Sequence, residues 1–211
     1  MLFRSGWPGE EMRVWLRLKL LADAGLVGLP NAGKSTFINQ VTNTKAKVGD
    51  YPFTTTKPQL GVVSHKGTEF VLADIPGLIE GAAEGAGIGD RFLGHIERCR
   101  VLIHLIDATA DDPVRAYTIV QDELEAYGEG LSDKPQIVVL NKGDLLGHEL
   151  MEDIRSQFEN EGIEDVMLIS GATGEGVSEL MDRVTTLLRE ARAADAEDED
   201  GEEGESTWSP L

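Results

Sequence analysis

The sequence predicts an α/β domain with a mostly parallel central sheet flanked by helices, and three observations carry that prediction. The first is Gly28-Leu29-Pro30-Asn31-Ala32-Gly33-Lys34-Ser35, set between the apolar run Ala24–Val27 and the helically spaced Thr36–Val41, so that a strand turns into a helix there. The second is a pair of nearly unbroken apolar runs, Val101–Asp107 and Ile137–Leu140, of the kind found in strands covered on both faces. The third is the alternation of such runs with helical patterns over Pro113–Tyr127, Glu149–Asn160 and Gly176–Ala194.

At 211 residues and 41% hydrophobic, the chain has room for one such domain and short appendages. Residues 1–23 are expected to be an N-terminal extension, 24–194 the domain, and 195–211 an acidic disordered tail. No apolar run reaches the ~20 residues that span a bilayer, and Met1–Pro8 lacks a signal peptide's apolar core, so a soluble cytoplasmic protein is expected. The net charge of −19 argues against direct nucleic-acid binding by this domain, and it stays acidic without the eight carboxylates of Asp195–Glu205. The single cysteine, Cys99, excludes an internal disulfide and reads as a buried structural thiol.

In chain order, Val14, Leu16, Leu18 and Leu20 alternate as one face of a strand. In the following loop, Gly28 and Gly33 free the backbone to turn successive N–H groups inward at a helix N-terminus, which makes an anion-binding concavity. Lys34 then reaches β- and γ-phosphates, and the Ser35 hydroxyl suits Mg²⁺. Thr42–Lys57 reads as a polar loop whose run Phe53, Thr54, Thr55, Thr56 and Lys57 is a candidate binding segment, with one threonine completing the shell of a metal ion already held by Ser35. Leu60–His65 and Glu69–Asp74 read as two strands joined through Lys66-Gly67-Thr68.

The second strand delivers Asp74-Ile75-Pro76-Gly77, with Asp74 able to approach the metal shell and Gly77 able to offer its N–H to a γ-phosphate. Leu78–Asp90 is glycine-rich, which suits a segment ordered by the γ-phosphate; Arg91–Arg98 looks helical. His104, inside a buried-type strand, reads as a packed core residue. Ile137–Leu140 delivers Asn141-Lys142-Gly143-Asp144, where a carboxylate can accept from the N1–H and 2-amino group of guanine, a donor pair that adenine lacks. After a last strand, Val166–Ile169, the backbone of Ser170-Gly171-Ala172 could meet the base carbonyl. The closing helix carries Val177, Leu180, Val184, Leu187 and Leu188 on one face, and Arg183, Arg189 and Arg192 as a solvated face.

Taken together, Gly28–Ser35, Thr54–Thr55, Asp74–Gly77, Asn141–Asp144 and Ser170–Ala172 resemble the motifs of a P-loop NTPase with a Ras-like G domain. Tyr51-Pro52-Phe53-Thr54-Thr55, Asp74-Ile75-Pro76-Gly77-Leu78-Ile79-Glu80-Gly81-Ala82 and Gly89-Asp90-Arg91-Phe92-Leu93 resemble the Obg family closely, over residues 10–194. The resemblance implies GTP and GDP as ligands, hydrolysis of GTP, and a role with the large ribosomal subunit in assembly or in stress signalling. Obg-family members carry a glycine-rich module before the GTPase domain, of which Gly9–Asp23 looks like the last strand. Gly171 departs from the family's usual alanine.

By the same resemblance, Lys34 and the loop N–H groups hold the phosphates, Ser35 and Thr55 hold Mg²⁺, and Asp74 orients a metal-bound water. Ras-like enzymes carry a water-positioning glutamine after Gly77; here the residue is Leu78, so intrinsic hydrolysis is expected to be slow. Similar GTPases with asparagine at the position of Asn31 use it to hold K⁺ against the phosphates; the open alternative is that Asn31 pins the loop by hydrogen bonds. Two other classes stay open: a GTP-gated binding module with hydrolysis as a timer, and an ATP-using P-loop enzyme, which Asp144 argues against.

Overall fold

A computed structural model describes residues 22–42, 47–48, 59–74, 99–127 and 130–202. Within them a seven-stranded sheet runs in the order β2-β3-β4-β1-β5-β6-β7. Its strands are β1 (Ala24–Val27), β2 (Lys47–Val48), β3 (Gln59–His65), β4 (Thr68–Asp74), β5 (Val101–Asp107), β6 (Gln136–Asn141) and β7 (Met167–Leu168). β4, β1, β5, β6 and β7 are parallel, while β3 pairs antiparallel with both β2 and β4. The sheet is therefore mixed, mostly parallel, and closed at one edge by a hairpin.

Helices cover both faces, and the apolar pattern of each strand says why. Ala24 and Leu26 of β1 and Val101, Ile103 and Leu105 of β5 share a core cluster with α1 (Lys34–Val41) and α4 (Val177–Glu202), which contribute Phe37, Ile38, Leu180, Val184 and Leu188. Leu102 and Ile106, pointing the other way, meet α2 (Pro113–Tyr127) and α3 (His148–Asn160) through Val120, Leu124, Ile154 and Phe158. Each fully buried large side chain contributes about 1.5–3 kcal/mol relative to exposure, so the doubly covered central strands anchor everything at their ends.

His104 is fully buried, stacks on Tyr117 at 5.1 Å between ring centroids, and lies 3.0 Å through Nδ1 from the Gln136 amide. Burial, with a smaller contribution from the Lys34 charge, lowers its pKa to about 3, so it is neutral at physiological pH as a core histidine should be. Cys99 is buried too, and burial pushes its thiol up to about 12, which leaves it an unreactive packing group.

Two local features differ from the sequence expectation. The polar stretch 42–57 contains the edge strand β2, paired with Gln59 and Leu60. Also, α4 continues to Glu202, through residues expected to be disordered from Asp195. Ion pairs explain the continuation at its start: Arg192 donates to Asp23 Oδ1 at 2.8 Å, and Arg100 Nε donates to Asp195 Oδ2 at 2.8 Å. Arg183 likewise reaches Asp165 at 2.8 Å, so two of the three arginines expected to form a solvated face are tethered to carboxylates. The segments 1–21, 43–46, 49–58, 75–98, 128–129 and 203–211 lie outside the described residues, and with them the N-terminal strand, the helix expected over Arg91–Arg98 and most of the acidic tail.

Candidate functional site: the carboxyl end of the parallel strands

The carboxyl ends of β1, β4, β5, β6 and β7 converge on one edge, where ligands of open α/β sheets bind. β1 ends at Val27 and the loop begins at Gly28, whose φ of 147° and closeness to β5 admit no side chain: a Cβ there would lie 2.1 Å from the Leu105 carbonyl oxygen. Gly33, at φ 94°, caps α1, and a Cβ there would meet Asn141 Nδ2 at 2.3 Å. Both glycines are thus required by contact with a neighbouring strand end as well as by backbone conformation. Between them Leu29 is half-buried, Pro30 and Asn31 are exposed, and Ala32 is buried. Asn31 adopts φ 66°, and its side chain makes no hydrogen bond among the described residues.

Lys34 curls back over the loop, donating to the carbonyls of Gly28 at 2.7 Å and Leu29 at 3.0 Å. Ser35 Oγ donates to Asp74 Oδ2 at 3.3 Å, joining the first turn of α1 to the end of β4. Asp74 is only 4% exposed, and its Oδ1 is buried with no hydrogen-bond partner. Burial raises its pKa, against the lowering effects of the Lys34 charge and the Ser35 hydroxyl. A carboxylate oxygen left alone at this depth, beside a serine hydroxyl, is a donor set suited to a small hard cation, and Mg²⁺ fits it.

The other side of the cluster is built from β5, β6 and the loop after β7. Asn141 is 2% exposed and both ends of its amide are engaged: Nδ2 donates to the Ala32 carbonyl at 2.8 Å, and Oδ1 accepts from the Gly171 N–H at 2.8 Å. One side chain thereby holds the phosphate loop and the Ser170–Ala172 loop together. Lys142 sits at φ 68° and donates to Asp107 Oδ2 at 2.5 Å. Gly143 N–H donates to the Ile169 carbonyl at 3.1 Å, and Gly143, Asp144 and Leu145 form a short 3₁₀ turn that leaves Asp144 exposed. Ser170 is fully buried; its Oγ accepts from the Thr173 N–H at 3.0 Å and its carbonyl from the Gly174 N–H at 2.8 Å, which shapes the loop.

The expected residues Gly28–Ser35, Asp74, Asn141–Asp144 and Ser170–Ala172 are therefore brought to one end of the sheet. Phe53, Thr54, Thr55, Thr56, Lys57, Ile75, Pro76, Gly77 and Leu78 lie outside the described residues. Asp107 and Thr109 escaped the sequence reading, although an Asp two residues before a Thr at the end of a buried strand was a visible signal.

Comparison with known proteins settles the family. The sequence model of the family described as "50S ribosome-binding GTPase" matches residues 23–142, more than half of the chain. The chain belongs to that family. Its resemblance to the Obg branch is borne out by curated relatives named GTPase Obg: one from Novosphingobium aromaticivorans is 66% identical and one from Rhizorhabdus wittichii 62% identical, each over 98% of this chain and 59% of the relative. The chain thus spans about three fifths of the length of these Obg proteins. Among solved structures, an Era variant from Aquifex aeolicus bound to GDP·AlF4⁻ is 27% identical with a TM-score of 0.56, over 82% of this chain and 57% of that one. The P-loop GTPase fold is thereby shown. No helix among the described residues is long and apolar enough to cross a membrane.

Proposed function

We propose that this chain binds GTP and GDP with Mg²⁺ and hydrolyses GTP slowly to GDP and phosphate, as a cytoplasmic switch that acts in large-subunit ribosome assembly or stress response. The observation that carries this reading is Asn141, which ties the phosphate loop at Ala32 to the Gly171 loop and so sets one ligand across both. In this reading Asp144 accepts from the guanine N1–H and 2-amino group. Because the Gly171 N–H is spent on Asn141, the neighbouring Ala172 N–H is the one free to meet the base carbonyl.

On the phosphate side, Lys34 would exchange its two backbone carbonyls for β- and γ-phosphate oxygens, which are stronger acceptors because they are charged. Ser35 and Asp74, with Thr55, would hold Mg²⁺, which when bound neutralises charge on the phosphates. Gly77 would offer its N–H to the γ-phosphate, and Phe53–Lys57 and Ile75–Pro76 would supply further contacts to the nucleotide. Asn31 stands exposed at the mouth of the loop without a hydrogen bond among the described residues, which supports the K⁺-holding role over the loop-pinning one. A bound K⁺ would supply the positive charge that an arginine finger supplies elsewhere, at about 10³–10⁵ in rate.

Single-turnover GTP hydrolysis with Mg²⁺, in matched KCl and NaCl and with excess ATP as competitor, tests this reading. Faster turnover in KCl and no competition by ATP are expected. Equal rates in the two salts would remove Asn31 from catalysis, and competition by ATP would remove the guanine assignment altogether.

A further inference from the structure

Asp107 closes β5 directly opposite Asn141 in the β5–β6 register. Its two carboxylate oxygens have different duties. Oδ1 accepts the Thr109 N–H at 2.9 Å and the Thr109 hydroxyl at 2.6 Å, which fixes the carboxylate plane. Oδ2 accepts Lys142 Nζ at 2.5 Å. Behind the pair, the Ala108 N–H donates to the Asn141 carbonyl at 2.9 Å, so the two strand ends cannot drift apart. Burial works to raise the Asp107 carboxyl, but hydrogen bonds from Lys142 and Thr109 and the Lys142 charge outweigh it and hold the pKa below the usual value.

Lys142 itself adopts a left-handed backbone at φ 68°, a conformation that a lysine keeps only when its surroundings impose it. With its ammonium committed to Asp107, what Lys142 presents beside Asp144 is its aliphatic stem. We propose that Asp107, itself locked by Thr109, is a positioning residue of the base site: it draws the Lys142 ammonium aside and lays the lysine stem down as the apolar platform for the purine face. The inference rests on the guanine-nucleotide reading above and deepens it. Asp107 touches no nucleotide atom in this account; it acts through Lys142.

The test is the dissociation rate of a fluorescent GDP, and of fluorescent IDP, from the full chain with Mg²⁺. The proteins are wild type, Asp107→Asn, Asp107→Ala, Lys142→Met and the double variant Asp107→Asn/Lys142→Met. Loss of a charge-assisted anchor that is partly exposed predicts about tenfold faster release for Asp107→Asn, with a raised KM and an unchanged kcat. GDP and IDP, which differ only in the 2-amino group, should suffer alike, because a platform reads the ring face and not its edge. In the Lys142→Met background, where the stem remains without its ammonium, Asp107→Asn should add less than about twofold, since the residues act as one unit. Wild-type release by Asp107→Asn, additive effects in the double variant, or a loss confined to GDP would each overturn the inference while leaving the guanine reading intact. Failure of the wild type to bind either nucleotide would overturn both. Asp107→Asn, which keeps the side chain's shape, decides the matter if Asp107→Ala does not fold.

Discussion

The two halves of the site are built on different principles. At the end built from β5, β6 and the loop after β7, the groups that frame the site have protein partners: both ends of the Asn141 amide, Lys142 on Asp107, and the Ser170 hydroxyl and carbonyl within their own loop. At the phosphate end Lys34 leans on two backbone carbonyls, and Asp74 Oδ1 is buried without a partner. One half is finished by the fold. The other is held in reserve for ligand charge, and the segments expected to complete it, Phe53–Lys57 and Ile75–Gly77, lie outside the described residues. On the proposed reading, the contrast teaches that recognition of the base can be rigid while response to the γ-phosphate remains conditional.

Substitutions can break or sharpen that contrast. The largest effect on the proposed function is expected at Lys34: Lys34→Ala should weaken GTP binding by about 100-fold or more, while the apo melting temperature falls only modestly through loss of the charge beside buried Asp74. Titration with labelled GTP, beside a thermal melt, checks both halves of that statement.

Asn141→Ala should act in the opposite manner. It strands the Ala32 carbonyl and the Gly171 N–H at a cost of about 2 kcal/mol or more, so the apo protein should melt about 5 °C lower. An unchanged melting temperature would mean that the two loops are held together by something other than this amide.

Asp74→Asn should separate stability from function. Because burial raises the carboxyl in the folded state, the folded protein holds that proton to higher pH than the unfolded chain does. The resulting penalty is absent below the ordinary value of 3.8, grows as pH rises through the raised folded value, and is constant above it. The variant should therefore melt higher than wild type at neutral pH, the gap should shrink on acidification, and Mg²⁺ should enhance nucleotide affinity less than it does in wild type. Paired melts across pH and a Mg²⁺ titration read the two effects separately.

The smallest effect belongs to Gly171→Ala. A Cβ there would lie 3.3 Å from Asn141 Oδ1 and 3.6 Å from Phe37, and no positive φ is recorded at this glycine. GDP affinity should change by less than about threefold.

Much of this was legible because local pattern and tertiary position coincide. Val101–Asp107 and Pro113–Tyr127 begin and end where the apolar runs and the Pro113 start signal place them, since a doubly covered strand and an amphipathic helix write their burial into the sequence. β2 was not legible: two residues paired at a sheet edge carry no periodicity to read. The continuation of α4 depends on Arg100 and Arg192, which meet Asp195 and Asp23 only after folding. At the site, the glycines, lysine and aspartates that lie together at one end of the sheet were picked out by the chemistry expected of phosphate and guanine. The anchor on Lys142 could not, because Asp107 lies 35 residues away and becomes its neighbour only through strand register.

The most direct test of the contrast is amide hydrogen exchange on the apo protein, followed by exchange with Mg²⁺ and a non-hydrolysable GTP analogue. The account predicts that Asn141–Asp144 and Ser170–Ala172 are already protected without ligand and change little, while Gly28–Ser35 and the Asp74 end of β4 gain most of their protection on binding. Equal gains at both ends, or an unprotected base loop in the apo protein, would contradict it.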